Sequence, residues 1–109
     1  RRDGTVALDF ISYDEHSLAR PSVLIEDGVY KMWYSYKGSD YRVGYAESKD
    51  GLFWKRLDES SGIDVTPGEI DSQMIGITHV FHHRNRKFMV YNGNNYGIDG
   101  VLLAEFVDW

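Results

Sequence analysis

Apolar and polar residues alternate with a period of two along most of this chain, which predicts strands; no window repeats at the 3.6 residues of an amphipathic helix. The run from Val29 to Tyr36 is dense in strand-favouring residues and follows an Asp27-Gly28 turn signal. With Val23 to Ile25 ahead of that turn, it predicts a hairpin. Its alternation puts Tyr30, Met32 and Tyr34 on one face and Val29, Lys31, Trp33 and Ser35 on the other. Bulk on both faces suits a sheet packed between neighbouring sheets. A Gly-Ser-Asp loop at 38–40 leads to a third strand, Arg42 to Glu47, and Asp50-Gly51 turns the chain into a short fourth strand around Phe53 to Lys55. A second set follows. Val80 to His82 pairs with Lys87 to Tyr91 across a turn at Arg84 to Arg86, and Val101 to Ala104 makes the next strand after a Gly- and Asn-rich loop at 93–100. Thr5 to Ile11 alternates like an outer strand of a preceding sheet, whereas 58–73 reads as a link rich in Ser, Gly, Asp and Pro.

The two sets echo each other. Asp14, Val23, Met32 and Tyr34 recur 57 positions later as Asp71, Val80, Met89 and Tyr91, and Val43, Ala46 and Glu47 recur 58 later as Val101, Ala104 and Glu105. Such a spacing predicts an internal repeat of a sheet module, and a four-stranded propeller blade takes roughly 40–50 residues. The expected fold is all-β: about two four-stranded antiparallel sheets in one partial β-propeller domain over 1–109, with blade one at about 14–57, a linker at 58–70 and blade two at about 71–109. Two blades do not close a ring. The expected partners are therefore the remaining blades, in the same longer protein or in further copies of the chain. The chain opens at Arg1 rather than Met, as a processed product or a piece of a longer protein does.

Lys and Arg total 12 against 17 Asp and Glu, a net charge of −5, and the basic residues are dispersed, so nucleic acid is not an expected partner. The absence of cysteine excludes disulfides, thiol nucleophiles and thiolate zinc sites, and leaves the compartment open between cytoplasm and exterior. No apolar run approaches the roughly 18 residues of a membrane span, so a soluble protein without a membrane partner is expected. There is no G-x-S-x-G nucleophile motif and no G-x-x-x-x-G-K phosphate loop, and no cofactor is expected.

Five strings, ARPSV at 19–23, DGVYKMWYS at 27–35, VGYAESKDGLFW at 43–54, IDSQMI at 70–75 and VYNGNNYG at 90–97, together resemble the five-bladed β-propeller glycoside hydrolases, the group that includes families 32, 43, 68 and 130. The resemblance runs from about residue 14 onward. Propellers of this kind take about 300 residues, so the chain corresponds to two blades and a fraction. The resemblance implies a carbohydrate ligand. It also implies that the acids doing the chemistry come from the inner strands of different blades, more than a two-blade chain holds.

Glycoside hydrolysis needs two carboxyl groups flanking one bond, roughly 5–5.5 Å apart for retention and 6.5–9.5 Å for inversion. Asp14 and Asp71, each nine residues before a valine of an inner strand, are the candidate catalytic pair, with Glu15 as a further acid. The alternative is that these Asp side chains close Asx-turns. Arg20 opens the first inner strand, where the resemblance places the mouth of a sugar pocket. Its guanidinium suits a carboxylate or two hydroxyls, or else a structural ion pair. Trp33, with Tyr34 and Tyr36, offers either a stacking surface or a core. His79 is a candidate pocket residue. His82 and His83, adjacent on a strand, point to opposite faces and so cannot share one metal ion, and no metal site is expected. Asn92 and the amides after it suit hydroxyl recognition or simply a positive-φ loop. SKDGLFW at 48–54 resembles an Asp box one residue short, a structural turn in which Ser48, Asp50 and Gly51 brace a hairpin over Trp54.

The sequence thus points to a glycoside hydrolase-like protein that hydrolyses a glycosidic bond if other blades or chains complete the acid set. The alternative is a non-catalytic carbohydrate-binding or assembly module built from the same blades.

Overall fold

The computed structural model describes Gly4 and residues 6–107. Among these, seven strands form two antiparallel sheets. The first holds β1 (Ser17–Glu26), β2 (Val29–Lys37), β3 (Tyr41–Ser48) and β4 (Lys55–Arg56); the second holds β5 (Gly76–His83), β6 (Arg86–Asn92) and β7 (Val101–Glu105). Strands follow in chain order, as expected where each is joined to the next by a short loop. The chain is all-β among the described residues, built from two antiparallel sheets.

Three strand expectations change. The second sheet has three strands rather than four. In the first, β4 is only two residues long because Phe53 and Trp54 are drawn into the turn before it. There the Asp50 carboxylate accepts the backbone N–H groups of Leu52 and Phe53 at 2.9 and 3.0 Å, and the Trp54 indole donates to the Gly51 carbonyl at 3.0 Å. Residues 6–11 form no strand: the Asp9 carboxylate accepts the Phe10 N–H at 2.7 Å, a local bond that competes with a ladder, and Thr5 lies outside the described residues.

The hairpin turns have a common chemistry. Asp27-Gly28 and Arg84-Asn85 both place two successive residues at positive φ (52° and 77°, 51° and 61°), the type I′ geometry that matches strand twist, so Arg86 already belongs to β6. Both inner strands also carry a bulge. Arg20 and Pro21 together oppose Tyr34, and Ile77 and Thr78 together oppose Tyr91, with Arg20 and Ile77 at φ of 55° and 53°.

The core lies between the sheets. Trp33, Val43 and Tyr45 of the first meet Val80, Met89 and Tyr91 of the second, with Ile75 ahead of β5. Polar bonds cross the same seam: the Ser22 hydroxyl accepts the Val80 N–H at 3.0 Å and the Ser35 hydroxyl accepts the Ile77 N–H at 2.6 Å. The bulge in β5 takes Ile77 out of its own ladder, and Ser35 supplies the missing acceptor. Ile75 N–H meets the Tyr41 carbonyl (3.1 Å) at one end of the stack, and Lys87 Nζ meets Glu26 (2.7 Å) at the other. β1 and β5 therefore run in the same direction. The segments that precede them emerge at one end, beside the β2–β3 and β6–β7 loops, and this loop end is where the candidate chemistry collects.

The faces turned away from the seam remain apolar and open. Val23 and Ile25 of β1 are 46% and 62% exposed, and Val101 and Leu103 of β7 are 71% and 62% exposed. Met32, Tyr34 and Ala46 form a smaller cluster on the first of these faces, partly covered by Leu8.

Candidate functional site

Asp71 sits at the loop end, five residues ahead of β5, and is 6% exposed. Its Oδ2 accepts the Tyr91 hydroxyl proton at 2.9 Å. Burial, then the adjacent carboxylate, pushes the Tyr91 hydroxyl up to about 12, so Tyr91 remains a donor at any working pH. The backbone of this segment is clamped. Gly93 passes so close that a Cβ there would lie 2.5 Å from the Ile70 carbonyl oxygen and 3.2 Å from the Cα of Asp71, which only glycine allows. Asn94 then ties the β6–β7 loop back: its Oδ1 accepts the N–H groups of Gln73 (2.7 Å) and Met74 (3.2 Å), and its Nδ2 donates to the Ser72 hydroxyl (3.0 Å).

Asp14 emerges at the same end but is exposed, in a turn where its N–H donates to the Ser12 hydroxyl at 3.1 Å and its carbonyl lies against Gly38 of the β2–β3 loop. Glu15, beside it, has a different fate. Both of its oxygens accept from Arg56, at 2.7 and 2.8 Å, with both side chains at least nine-tenths buried. Arg56 also donates to Asp58 (2.8 Å) and to the Asp9 carbonyl (3.0 Å), and its guanidinium lies 5.4 Å from the ring centroids of both Tyr34 and Tyr36. Asp58 in turn accepts from the Tyr34 hydroxyl and from the Tyr45 N–H. Burial, then Asp58, drives the Tyr34 hydroxyl far above its ordinary value. Arg56 is raised because its bonds to Glu15 and Asp58 outweigh the opposing effect of burial. This knot lines one side of an open cavity of about 800 Å³, bounded also by Arg42 and Asp64. Nothing in the spacing of Glu15, Tyr34, Arg56 and Asp58 along the chain announces it.

The remaining candidates divide. Arg20 is exposed at the bulge of β1. His79 is exposed on β5, its Nδ1 3.4 Å from the Ser22 hydroxyl and its ring stacked on Phe81 at 5.9 Å. Asn92 is half-buried and its Nδ2 donates to the Tyr96 carbonyl at 3.3 Å, which supports the loop. Trp33 is a core residue: it is fully buried, donates its indole N–H to the Ser61 carbonyl at 3.0 Å and packs against Tyr45 and Phe106, so no ring face is left for a ligand. The loop end exposes Tyr96, in the Asn94–Gly97 turn, and Tyr13, next to Asp14. His82 pairs with Glu26 at 3.0 Å, and among the described residues no three His, Asp or Glu side chains gather as a metal cluster.

No protein-family model matches the chain. It is 43% identical over 99 residues to two uncharacterized proteins of Mycobacterium tuberculosis, MT1551 of strain CDC 1551 and Rv1502 of strain H37Rv; the match covers 91% of this chain and 33% of each of them. The chain thus spans about a third of the length of these curated relatives. Among solved structures it is similar to one described as a glycoside hydrolase (TM-score 0.74, 18% identity, covering 92% of this chain and 35% of that one). It is similar also to Zg3597, a family 117 glycoside hydrolase of the marine bacterium Zobellia galactanivorans (TM-score 0.73, 16% identity, 91% and 38% covered). The chain has the fold of part of a propeller-type glycoside hydrolase.

Proposed function

We propose that this protein acts on a carbohydrate at the loop end and that, once further blades complete the acid set, it hydrolyses a glycosidic bond. The observation that carries the reading is Asp71: a buried carboxyl group, held by the Tyr91 hydroxyl, at the loop end of a sheet stack with a glycoside hydrolase fold. The mechanism needs one carboxyl group to donate a proton to the leaving oxygen and another to act as base or nucleophile. Asp14 is the partner this chain offers. Glu15 falls away from that role, because an acid whose two oxygens are both committed to a buried guanidinium has none left for a substrate. Arg20 and His79, exposed on the inner strands, suit hydrogen bonding to hydroxyl groups.

In this reading the two sheets are two copies of one blade, joined by the segment at 58–70, and the open apolar faces pack against further blades of the same longer protein. The share of the relatives and of the similar structures that the chain spans, 33–38%, supports that partner. Exposed hydrophobic faces of this size on a lone two-sheet unit would promote association.

A second reading, a non-catalytic sugar-binding or assembly module, is favoured by the same hydrogen bond from Tyr91, which satisfies Asp71 without any substrate. Assays of the full-length protein separate the two. The enzyme releases reducing ends from oligosaccharides, and Asp71→Asn removes that turnover by several orders of magnitude while sugar still binds. Unchanged turnover in Asp71→Asn takes this residue out of the mechanism, and binding without cleavage by the wild-type protein identifies the module.

A further inference from the structure

We infer that Tyr96, backed by Tyr41, is a stacking platform for the apolar face of a neutral sugar ring beside Asp71; the inference rests on the carbohydrate reading above and assigns it a subsite. The starting point is a backbone that side chains rarely adopt. Asn95 and Tyr96 lie at φ 54° and 56° with ψ 42° and 35°, and Gly97 follows at φ 83°, so three successive residues are left-handed. Asn tolerates this region through its short polar side chain, and Gly has no penalty there. A bulky Tyr has neither excuse. Such outliers persist only where surrounding contacts hold them, and they concentrate at ligand sites.

The contacts that hold this one are on either side. Asn94 anchors the start of the turn to the segment around Asp71 through Gln73, Met74 and Ser72, and its N–H donates to the Ile70 carbonyl at 2.8 Å. Asn92 holds the far side through the Tyr96 carbonyl. The Tyr96 ring stands edge-to-face on Tyr41, at 5.9 Å between centroids and 76° between planes, and Lys37 Nζ lies 5.3 Å from the centroid of Tyr41. Tyr41 belongs to the first sheet and Tyr96 to the loop joining β6 and β7 of the second, so the pair bridges the seam at the end where Asp71 is held. Tyr96 is nevertheless 58% exposed. Packing of the core does not require it, since Tyr91 and Ile75 already fill the seam below.

The chemistry selects the ligand. An aromatic face carries partial negative charge and attracts the slightly positive C–H groups on the apolar side of a pyranose, while the ring's hydroxyls stay available to polar neighbours. A rigid tyrosine, placed by a strained turn that Asn94 ties to the segment carrying Asp71, sets the distance between the stacked sugar and the carboxyl group. A loop residue free to relax would not.

The test uses the full-length protein, with cello-, xylo- and manno-hexasaccharides as probes and isothermal calorimetry as readout. Against whichever hexasaccharide the wild-type protein binds, Tyr96→Ala loses about ten-fold in affinity, as expected for uncovering one aromatic contact. Tyr96→Phe, which keeps the face and drops the hydroxyl, stays within about two-fold. Tyr96→Gly, which relieves the left-handed backbone, melts no lower than the wild-type protein and still loses the affinity, which separates stacking from folding. Wild-type affinity in Tyr96→Ala and Tyr96→Gly overturns the subsite and leaves the carbohydrate reading standing. Failure of the wild-type protein to bind any of the three probes counts against that reading and overturns the platform with it.

Discussion

Glu26 sits at the end of the stack opposite the candidate site and is the meeting point of two ammonium groups and an imidazole: Lys87 at 2.7 Å, Lys31 at 3.3 Å and His82 Nε2 at 3.0 Å. Lys87 is itself 6% exposed and covers the rings of Trp33 and Phe106 at 4.5 and 4.7 Å. Burial works to raise the Glu26 pKa, but the hydrogen bond and charge of Lys87, followed by those of Lys31, outweigh it and hold the carboxyl below its ordinary 4.5. A carboxylate lowered in the fold contributes stability above its unfolded value and loses it as pH falls through the folded one. The wild-type protein is therefore expected to lose stability between about pH 5 and 3 more steeply than Glu26→Gln, as read by urea midpoints across that range. Lys87 has the opposite history. Burial lowers its pKa despite Glu26, so its own contribution improves as pH rises toward the unfolded lysine value.

At the scale of elements, turn chemistry decides how the hairpins close. Asp27-Gly28 is a good type I′ pair, whereas Arg84-Asn85 puts a long side chain where φ is 51°. Arg84→Asn supplies a residue that tolerates the left-handed region, and it is expected to raise stability by about 0.5 kcal/mol, measured as a higher urea midpoint with an unchanged slope. The paired bulges at Arg20-Pro21 and Ile77-Thr78 belong to the same scale. Each displaces the inner strand opposite a tyrosine, Tyr34 or Tyr91, whose hydroxyl donates to an aspartate, Asp58 or Asp71. The alternation of the strands was legible in the sequence because a period of two follows from the backbone. The bulges were not, since a single inserted residue leaves alternation intact on either side of it.

The whole molecule has a closed seam and two open faces. Leu103, 62% exposed on β7, lies on one of those faces, next in the strand to Leu102 and Ala104, which pack toward the core. If a further blade covers that face, Leu103→Asp in the full-length protein buries a carboxylate in place of an apolar side chain. It is expected to cost at least about 2 kcal/mol in chemical denaturation. A change below about 0.5 kcal/mol is the cost at a surface position and would show the face to be open in the intact protein.

The sequence by itself determined the all-β class, most of the strands, the hairpin turns and the brace at Ser48 to Trp54, because these depend on neighbours two to six positions apart. The assignment of roles was decided by tertiary structure alone. Trp33 became core and Glu15 became the partner of Arg56, 41 residues away, while Tyr96 was left facing solvent against Tyr41. A side chain's chemistry is written in the residue, but whether it is buried, neutralised or offered to a ligand depends on what the fold brings against it. In these sheets that is set by contacts across the seam, far apart in the chain.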